Sequence, residues 1–257
     1  MEQYVEKIEI GFGAFLVAIK DGDKTLWGMI DKDGYVIVPC EYDEVRPGYN
    51  FDEDGNLFEP YNLVKKNGLW GILHEHWKVD FIFEEIGEFH LVGPDFAEFP
   101  VAKYNGFWGV GFPNNAIVPF VYDYIGHFAC DGDEIFRDSS WAIAQYKGKW
   151  GVLGVEGEEC SVLVPFIYDS VYIRDYDYRD SILVKKDGLW GIIDHEGGEI
   201  VPFIYEDAEE DDDGNLRVKR DGVWSTIDPW GNEVEASDEE PEDGDKEVYS
   251  SEDPLPF

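Results

Sequence analysis

Apolar and polar positions alternate along most of the chain in short runs broken by glycine. Val64-Lys65-Lys66-Asn67-Gly68 leads to Trp70, Ala102-Lys103-Tyr104-Asn105-Gly106 to Trp108, Val184-Lys185-Lys186-Asp187-Gly188 to Trp190, and Val218-Lys219-Arg220-Asp221-Gly222 to Trp224. Alternation with period two sets successive side chains on opposite faces of a strand. Asn-Gly or Asp-Gly between two such strands predicts a tight hairpin, because both central residues need φ > 0. Lys147-Gly148 fills the same place before Trp150. Before Trp27, Asp21-Gly22-Asp23-Lys24 inserts extra residues and predicts a longer hairpin.

A second strand follows each tryptophan, often with another turn, as in Met29-Ile30-Asp31-Lys32-Asp33-Gly34 and Ile192-Ile193-Asp194-His195-Glu196-Gly197. A third then approaches proline: Val36-Ile37-Val38-Pro39, Ala116-Ile117-Val118-Pro119, Val162-Leu163-Val164-Pro165 and Ile200-Val201-Pro202. Proline cannot donate to a ladder, so it predicts a strand end or an edge. An aromatic–acid pair comes next: Tyr42-Asp43, Phe83-Glu84, Tyr122-Asp123, Tyr168-Asp169, Tyr205-Glu206.

The tryptophans Trp27, Trp70, Trp108, Trp150, Trp190 and Trp224 are spaced by 43, 38, 42, 40 and 34 residues, by subtraction of their numbers. Glycine follows the first five, and Ser225 replaces it in the sixth. The pattern predicts an all-β chain of six tandem units, each of three to four short strands. Strands this short bury their faces only by stacking neighbouring units. Tryptophan is the expected core filler, beside a glycine that admits a close neighbour.

Six units in register, four with Gly-x-Trp-Gly and three with Pro-x-x-Tyr-Asp, resemble the WG-repeat proteins, a bacterial family built on these two motifs. The resemblance covers about residues 5–235, and the second unit departs from it at His74-Glu75-His76-Trp77 and Asp80. It implies the repeat and no shared catalytic activity.

The expected domains are a WG-repeat β domain over residues 1–235 and an acidic, disordered tail over 236–257. The sixth unit lacks its own Pro and Tyr-Asp element, while Val5-Glu6-Lys7-Ile8 resembles Tyr168-Asp169-Ser170-Val171. Such an exchange between ends favours a propeller-like ring over an open β-solenoid.

Charge changes the functional picture. The 257 residues carry 57 acidic and 20 basic side chains, a formal net charge of −37. That field repels nucleic acid and anionic membranes and attracts a basic partner. The acids crowd the connectors, and many lysines lie near the hairpin turns. The candidate partner-binding residues are Asp52, Glu53 and Asp54; Asp131, Asp133 and Glu134; Asp175 and Asp177; and Glu209, Glu210, Asp211, Asp212 and Asp213. In repeat folds such connectors gather on one face.

Other chemistry finds little footing. No phosphate loop or Gly-x-Ser-x-Gly motif occurs, and the calcium-like runs at Asn50 and Glu209 place Tyr61 and Arg220 where a Glu ligand is needed. His74 and His76 have no Cys or third His near them in sequence. No catalytic residue, cofactor or metal is therefore expected. Cys40, Cys130 and Cys160 have no ligand spacing and fit a reducing cytoplasm. The N-terminus lacks a signal-peptide pattern, and no apolar run reaches the roughly 20 residues of a membrane span. The expectation is a cytoplasmic, monomeric, non-catalytic protein-binding protein that takes a basic partner. Its most concrete form is an immunity-type inhibitor of a cationic, nuclease-like toxin. The alternatives are a carbohydrate-binding module using Trp77, Trp141 and Trp230, or a scaffold whose acidity serves only solubility.

Overall fold

The computed structural model describes residues 4–11, 13–51, 57–74, 78–92, 97–126, 129–130, 139–156, 159–173, 181–194, 197–210, 215–228, 230–234 and 249–250. These residues form strands grouped in six antiparallel sheets, as the alternation predicts. The first sheet is β1 (Glu6–Gly11), β2 (Ala14–Asp21), β3 (Lys24–Asp31) and β4 (Val36–Tyr42). The second is β5 (Glu44–Phe51), β6 (Leu57–Lys66), β7 (Leu69–His74) and β8 (Lys78–Phe83). The third is β9 (Glu85–Val92), β10 (Ala97–Tyr104), β11 (Phe107–Phe112) and β12 (Asn115–Tyr122). In the fourth, β13 (Tyr124–Ile125) and β14 (Ala129–Cys130) both pair with β15 (Ser139–Tyr146), followed by β16 (Lys149–Glu156) and β17 (Glu159–Tyr168). The fifth is β18 (Ser170–Ile173), β19 (Ile182–Lys186), β20 (Leu189–Ile193) and β21 (Glu199–Tyr205). The sixth is β22 (Asp207–Glu210), β23 (Leu216–Arg220), β24 (Val223–Ile227) and β25 (Glu233–Val234). Two tail residues, β26 (Tyr249–Ser250), pair with β18 at the edge of the fifth sheet. The rest of the acidic tail lies outside the described residues.

The central hairpin turns follow the sequence. Asn67, Asn105, Lys147, Asp187 and Asp221 all have φ between 51° and 55°, and the glycine after each is also positive. The first hairpin keeps a two-residue turn, with Asp21 opposite Lys24, and its extra residues lengthen the arms. Only Gly22 there has positive φ, the pattern of a type II′ turn.

The Trp-Gly and proline elements turn out to be one device. Trp150 lies opposite Tyr168, yet Val152 lies opposite Val164. One residue of β16 therefore faces three of β17, and the same count recurs in the first, second, third and fifth sheets. This is a bulge two residues deep, which bends the fourth strand over the glycine. A Cβ on Gly151 would stand 2.6 Å from the Val164 carbonyl oxygen and 2.9 Å from the Phe166 ring. Gly28, Gly109 and Gly191 are in the same position. Proline thus sits at the edge strand, as expected, but inside the bulge rather than at a strand end.

In three sheets an aspartate four residues after the tryptophan builds the next turn: Asp31, Asp194 and Asp228 each donate their backbone N–H to the carbonyl of the residue four positions on and accept that residue's N–H through the side chain. The acid of the aromatic–acid pair reaches the following sheet. The Asn67 N–H donates to Asp43 Oδ2 at 2.6 Å, Gly106 to Glu84 Oε1 at 3.1 Å, Gly148 to Asp123 Oδ2 at 2.9 Å, and Gly188 to Asp169 Oδ2 at 3.1 Å. Each carboxylate thereby caps a hairpin turn in the next unit. By backbone register Tyr4 and Val5 hold this position in the first sheet, since Val5 N–H donates to the Ala18 carbonyl. That is one residue earlier than the sequence comparison of Val5 with Tyr168 suggests.

Asp169 also accepts a bond from Lys149 Nζ at 2.5 Å. The lysine and the turn amides hold its carboxyl below the usual carboxylate range. A depressed folded pKa contributes stability that is present above the unfolded value, about 3.9, and is lost as pH falls through the folded value. Asp169→Asn is therefore expected to be less stable than the parent at pH 7, with the gap closing below about pH 4. Urea unfolding at pH 7, 4 and 3 checks this.

The described contacts divide the chain into two compact units, residues 1–87 with 102–106, and residues 88–101 with 107–257. In the first, Met29, Val38, Tyr42, Val45 and Val64 form a core with Trp27, Leu73 and Phe81. In the second, Trp108 clusters with Ala142, Ala144 and Leu153 of the next sheet. Trp150 does so with Val171 and Val184, and Trp190 with Leu216, Val218 and Ile227. The tryptophan face of one sheet is thus packed on the opposite face of its successor.

Candidate interaction surfaces

Of the predicted acidic residues, only Glu209 and Glu210 are described. Asp52, Glu53, Asp54, Asp131, Asp133, Glu134, Asp175, Asp177, Asp211, Asp212 and Asp213 lie outside the described residues. Glu209 is exposed and pairs with Arg217 at 3.6 Å. Glu210 accepts the Tyr172 hydroxyl at 2.7 Å. Glu209 therefore holds β22 to β23 within the sixth sheet, and Glu210 ties its start to the fifth.

The basic side chains near the turns are engaged with the scaffold. Lys65 and Arg46 lie over the Trp70 ring at 5.1 and 4.4 Å, Lys185 over Trp190 at 5.5 Å, and Lys219 and Arg217 over Trp224 at 5.7 and 5.3 Å. Lys66 lies over Tyr42 and Lys186 over Phe203. Lys103 pairs with Glu85 at 2.9 Å. Cation–π contacts draw charge onto the ring face while the aliphatic stem covers apolar surface.

The tryptophans separate into two groups. Trp70, Trp108, Trp150 and Trp190 are buried, Trp27 is half-buried, and Trp224 is 37% exposed. The ladder is core in its first five members and surface in its last. Among the three tryptophans outside the ladder, Trp141 is 4% exposed and belongs to a core cluster, Trp230 is 64% exposed, and Trp77 lies outside the described residues. The burial of Trp141 removes it from any carbohydrate platform. Sequence alternation carried that signal, because Trp141-Ala142-Ile143-Ala144 is apolar on both faces.

Among the described residues, the fourth strand of the sixth sheet, β25, pairs Val234 with Thr226 and Glu233 with Ile227 and reaches no further toward Trp224. A groove of about 340 Å³ opens there, lined by Arg217, Trp224, Ser225, Thr226, Glu233 and Val234. The groove has no signature in the sequence beyond the missing Pro and Tyr-Asp element.

Burial pushes the Tyr42 and Tyr122 hydroxyls up to about 12, as expected for rings packed beside tryptophan. It also pushes the Cys40 and Cys160 thiols up, away from the reactive thiolate. Among the described residues no three His, Cys, Asp or Glu side chains are grouped to hold a metal ion, and no helix is long and apolar enough to cross a membrane.

The description of the WG containing repeat matches residues 27–70, 114–150 and 190–224. The chain contains WG repeats at these three places. Two of the matched stretches begin at one ladder tryptophan and end at the next, so a WG repeat runs from the third strand of one sheet to the third strand of its successor. No curated protein matches the chain. Among solved structures, the WG-repeat chain is similar to one from a study of two prolyl endopeptidases, at 12% identity and a TM-score of 0.36, over 90% of this chain and 42% of that one. It is also similar to the tricorn protease, at 12% identity and a TM-score of 0.29, over 86% of this chain and 24% of that one. The chain therefore spans less than half the length of either.

Proposed function

We propose that this WG-repeat protein is a non-catalytic, cytoplasmic, monomeric protein-binding protein whose acidic surface takes a basic partner. The most concrete form is an immunity-type inhibitor that sets carboxylates where a cationic, nuclease-like toxin expects phosphates. The observation that carries the reading is the net charge of −37. The engagement of lysines and arginines with aromatic rings and scaffold carboxylates supports it, because those cations are held against the sheets. Opposite charge speeds encounter and sets orientation, and both effects fade as salt shortens the Debye length.

Association with a cationic nuclease, followed by calorimetry, is expected to weaken about tenfold between 50 and 500 mM salt. An affinity indifferent to salt sinks the electrostatic reading. Trp230, exposed at a turn, favours carbohydrate binding as the second reading; binding of a neutral glycan that Trp230→Ala abolishes would select it. We also propose the propeller-like ring, on the grounds that the first sheet begins with the aromatic position the sixth lacks. A small-angle scattering profile of an open array would set the ring aside.

A further inference from the structure

The first strand of four sheets opens on an acid: Glu6 in β1, Glu44 in β5, Glu85 in β9 and Asp207 in β22. Among the described residues these strands end their sheets, with no further strand beside them. A charge on an edge strand keeps another strand from pairing there. In the fourth sheet the same place is held by Tyr124, whose ring packs on Trp150 and which opens a strand of only two residues. The fifth sheet is the exception. Its first strand, β18, opens on Ser170, which is uncharged and 5% exposed. It is also the sheet that carries an added strand: Ser250 pairs antiparallel with Ser170, and Tyr249 with Val171. The sequence explains which part of the tail pairs. Val248-Tyr249-Ser250-Ser251 is an uncharged run between Glu247 and Glu252, and it holds the β-branched and aromatic residues that strands favour. Pro254-Leu255-Pro256-Phe257, also uncharged, carries two prolines, which cannot donate to a ladder.

We propose that the outer edge of β18 is a strand-accepting site whose resident is this chain's own segment 248–251, seated loosely enough to be exchanged for a strand of the same kind. Two independent observations carry this: the edge holds an added strand, and it lacks the acid that opens the first strand of four other sheets. A carboxylate at Ser170 would act twice, through its hydration and through repulsion of Glu247 and Glu252 on either side of the incoming run. The seat is short, so the strand owes its place to the tether: a segment joined to its site within one chain meets it at an effective concentration of about a millimolar. A partner strand takes the edge once its own affinity outweighs that. Its character follows from the resident: a short, extended, uncharged run with β-branched or aromatic residues beside hydroxyls, added through main-chain bonds. No basic character enters, so the inference does not rest on the acidic-surface reading.

Hydrogen exchange of the full chain, read by mass spectrometry, tests both sides of the pairing. Tyr249→Pro removes a backbone donor from the tail and is expected to speed exchange in residues 170–173 about fivefold or more, while β5 and β22 keep their rates. Ser170→Glu gives β18 the residue that opens β1, β5 and β9. It is expected to bring the amides of residues 249–250 to the rate of a free peptide of residues 245–257. Ser170→Thr, which adds no charge, is expected to change neither side. In the Tyr249→Pro chain, the peptide Glu-Val-Tyr-Ser-Ser-Glu at about 5 mM is expected to restore slow exchange in residues 170–173. Should Ser170→Glu fail to fold, seen as lost protection across β19 and β20, the proline variant and the peptide decide alone. Exchange in residues 170–173 that ignores Tyr249→Pro overturns the inference, as does a parent chain whose residues 249–250 already exchange like the free peptide. A peptide that restores no protection on the opened edge overturns it too. None of these readings involves salt or a basic protein, so the acidic-surface reading stands or falls by its own test.

Discussion

Trp150→Ala is expected to lower the stability of the chain by about 4 kcal/mol, the middle of the range for truncating a buried aromatic residue. Trp150 is 2% exposed. Its ring meets Tyr124 edge-on at 5.7 Å, lies opposite Tyr168, and clusters with Val171 and Val184 of the next sheet. Removing it empties a volume bounded by two sheets that are both fixed by their own hairpins, so the site has little freedom to collapse. The same change at Trp224 is expected to cost under about 1 kcal/mol, because the ring there is partly in water and covered by two flexible cations. Guanidinium unfolding of the two variants side by side measures both. Equal losses would mean that Trp224 is as much a part of the core as Trp150.

Gly151→Ala adds a single methyl group and is expected to cost about 2–3 kcal/mol, at the high end for overpacking. The backbone angle at Gly151 is not in the left-handed region, so the effect is contact alone: the new carbon would lie 2.6 Å from the Val164 carbonyl oxygen. That oxygen belongs to the bulged strand and has Phe166 beside it, so neither side yields cheaply. Ser225→Gly is the matched control and is expected to be near neutral, since no bulged strand faces that position among the described residues. Thermal melting of the pair checks the difference. A stable Gly151→Ala protein would show that the bulge moves aside and does not dictate the glycine.

Much of the fold was legible because its signals are local. Asn67-Gly68 and its counterparts reveal hairpins within a few residues, and alternation shows which side chains share a face. The bulge was not legible, because Pro39 or Pro165 in an apolar run reads as the end of a strand. The extra residues show only when the strand is paired with its neighbour. The role of Asp43 or Asp169 was hidden for a similar reason: the amide each one accepts lies about twenty residues downstream, and no pattern in the intervening sequence names it. The surface followed a different rule. Trp224 looked like the other ladder members, and only Ser225 and the absent Tyr-Asp element distinguished it. Trp141 lies outside the ladder spacing and so resembles a surface ring, yet Ala142, Ile143 and Ala144 beside it offer no polar face to water.

The carboxylate that ends each of the first four sheets and caps the next hairpin has a consequence for the length of the chain. These joints are made from the same parts, so the parts are interchangeable. Excising residues 151–190 would bring Trp150 directly before Gly191, restoring a Trp-Gly pair and leaving Tyr205 to lie beside Trp150. Glu206 would still hold its backbone bond to Lys219. Recombination between two Trp-Gly codons can therefore add or remove a unit without stranding a ring, a bulge or a cap. The number of copies is a quantity that the chemistry of any single joint leaves free.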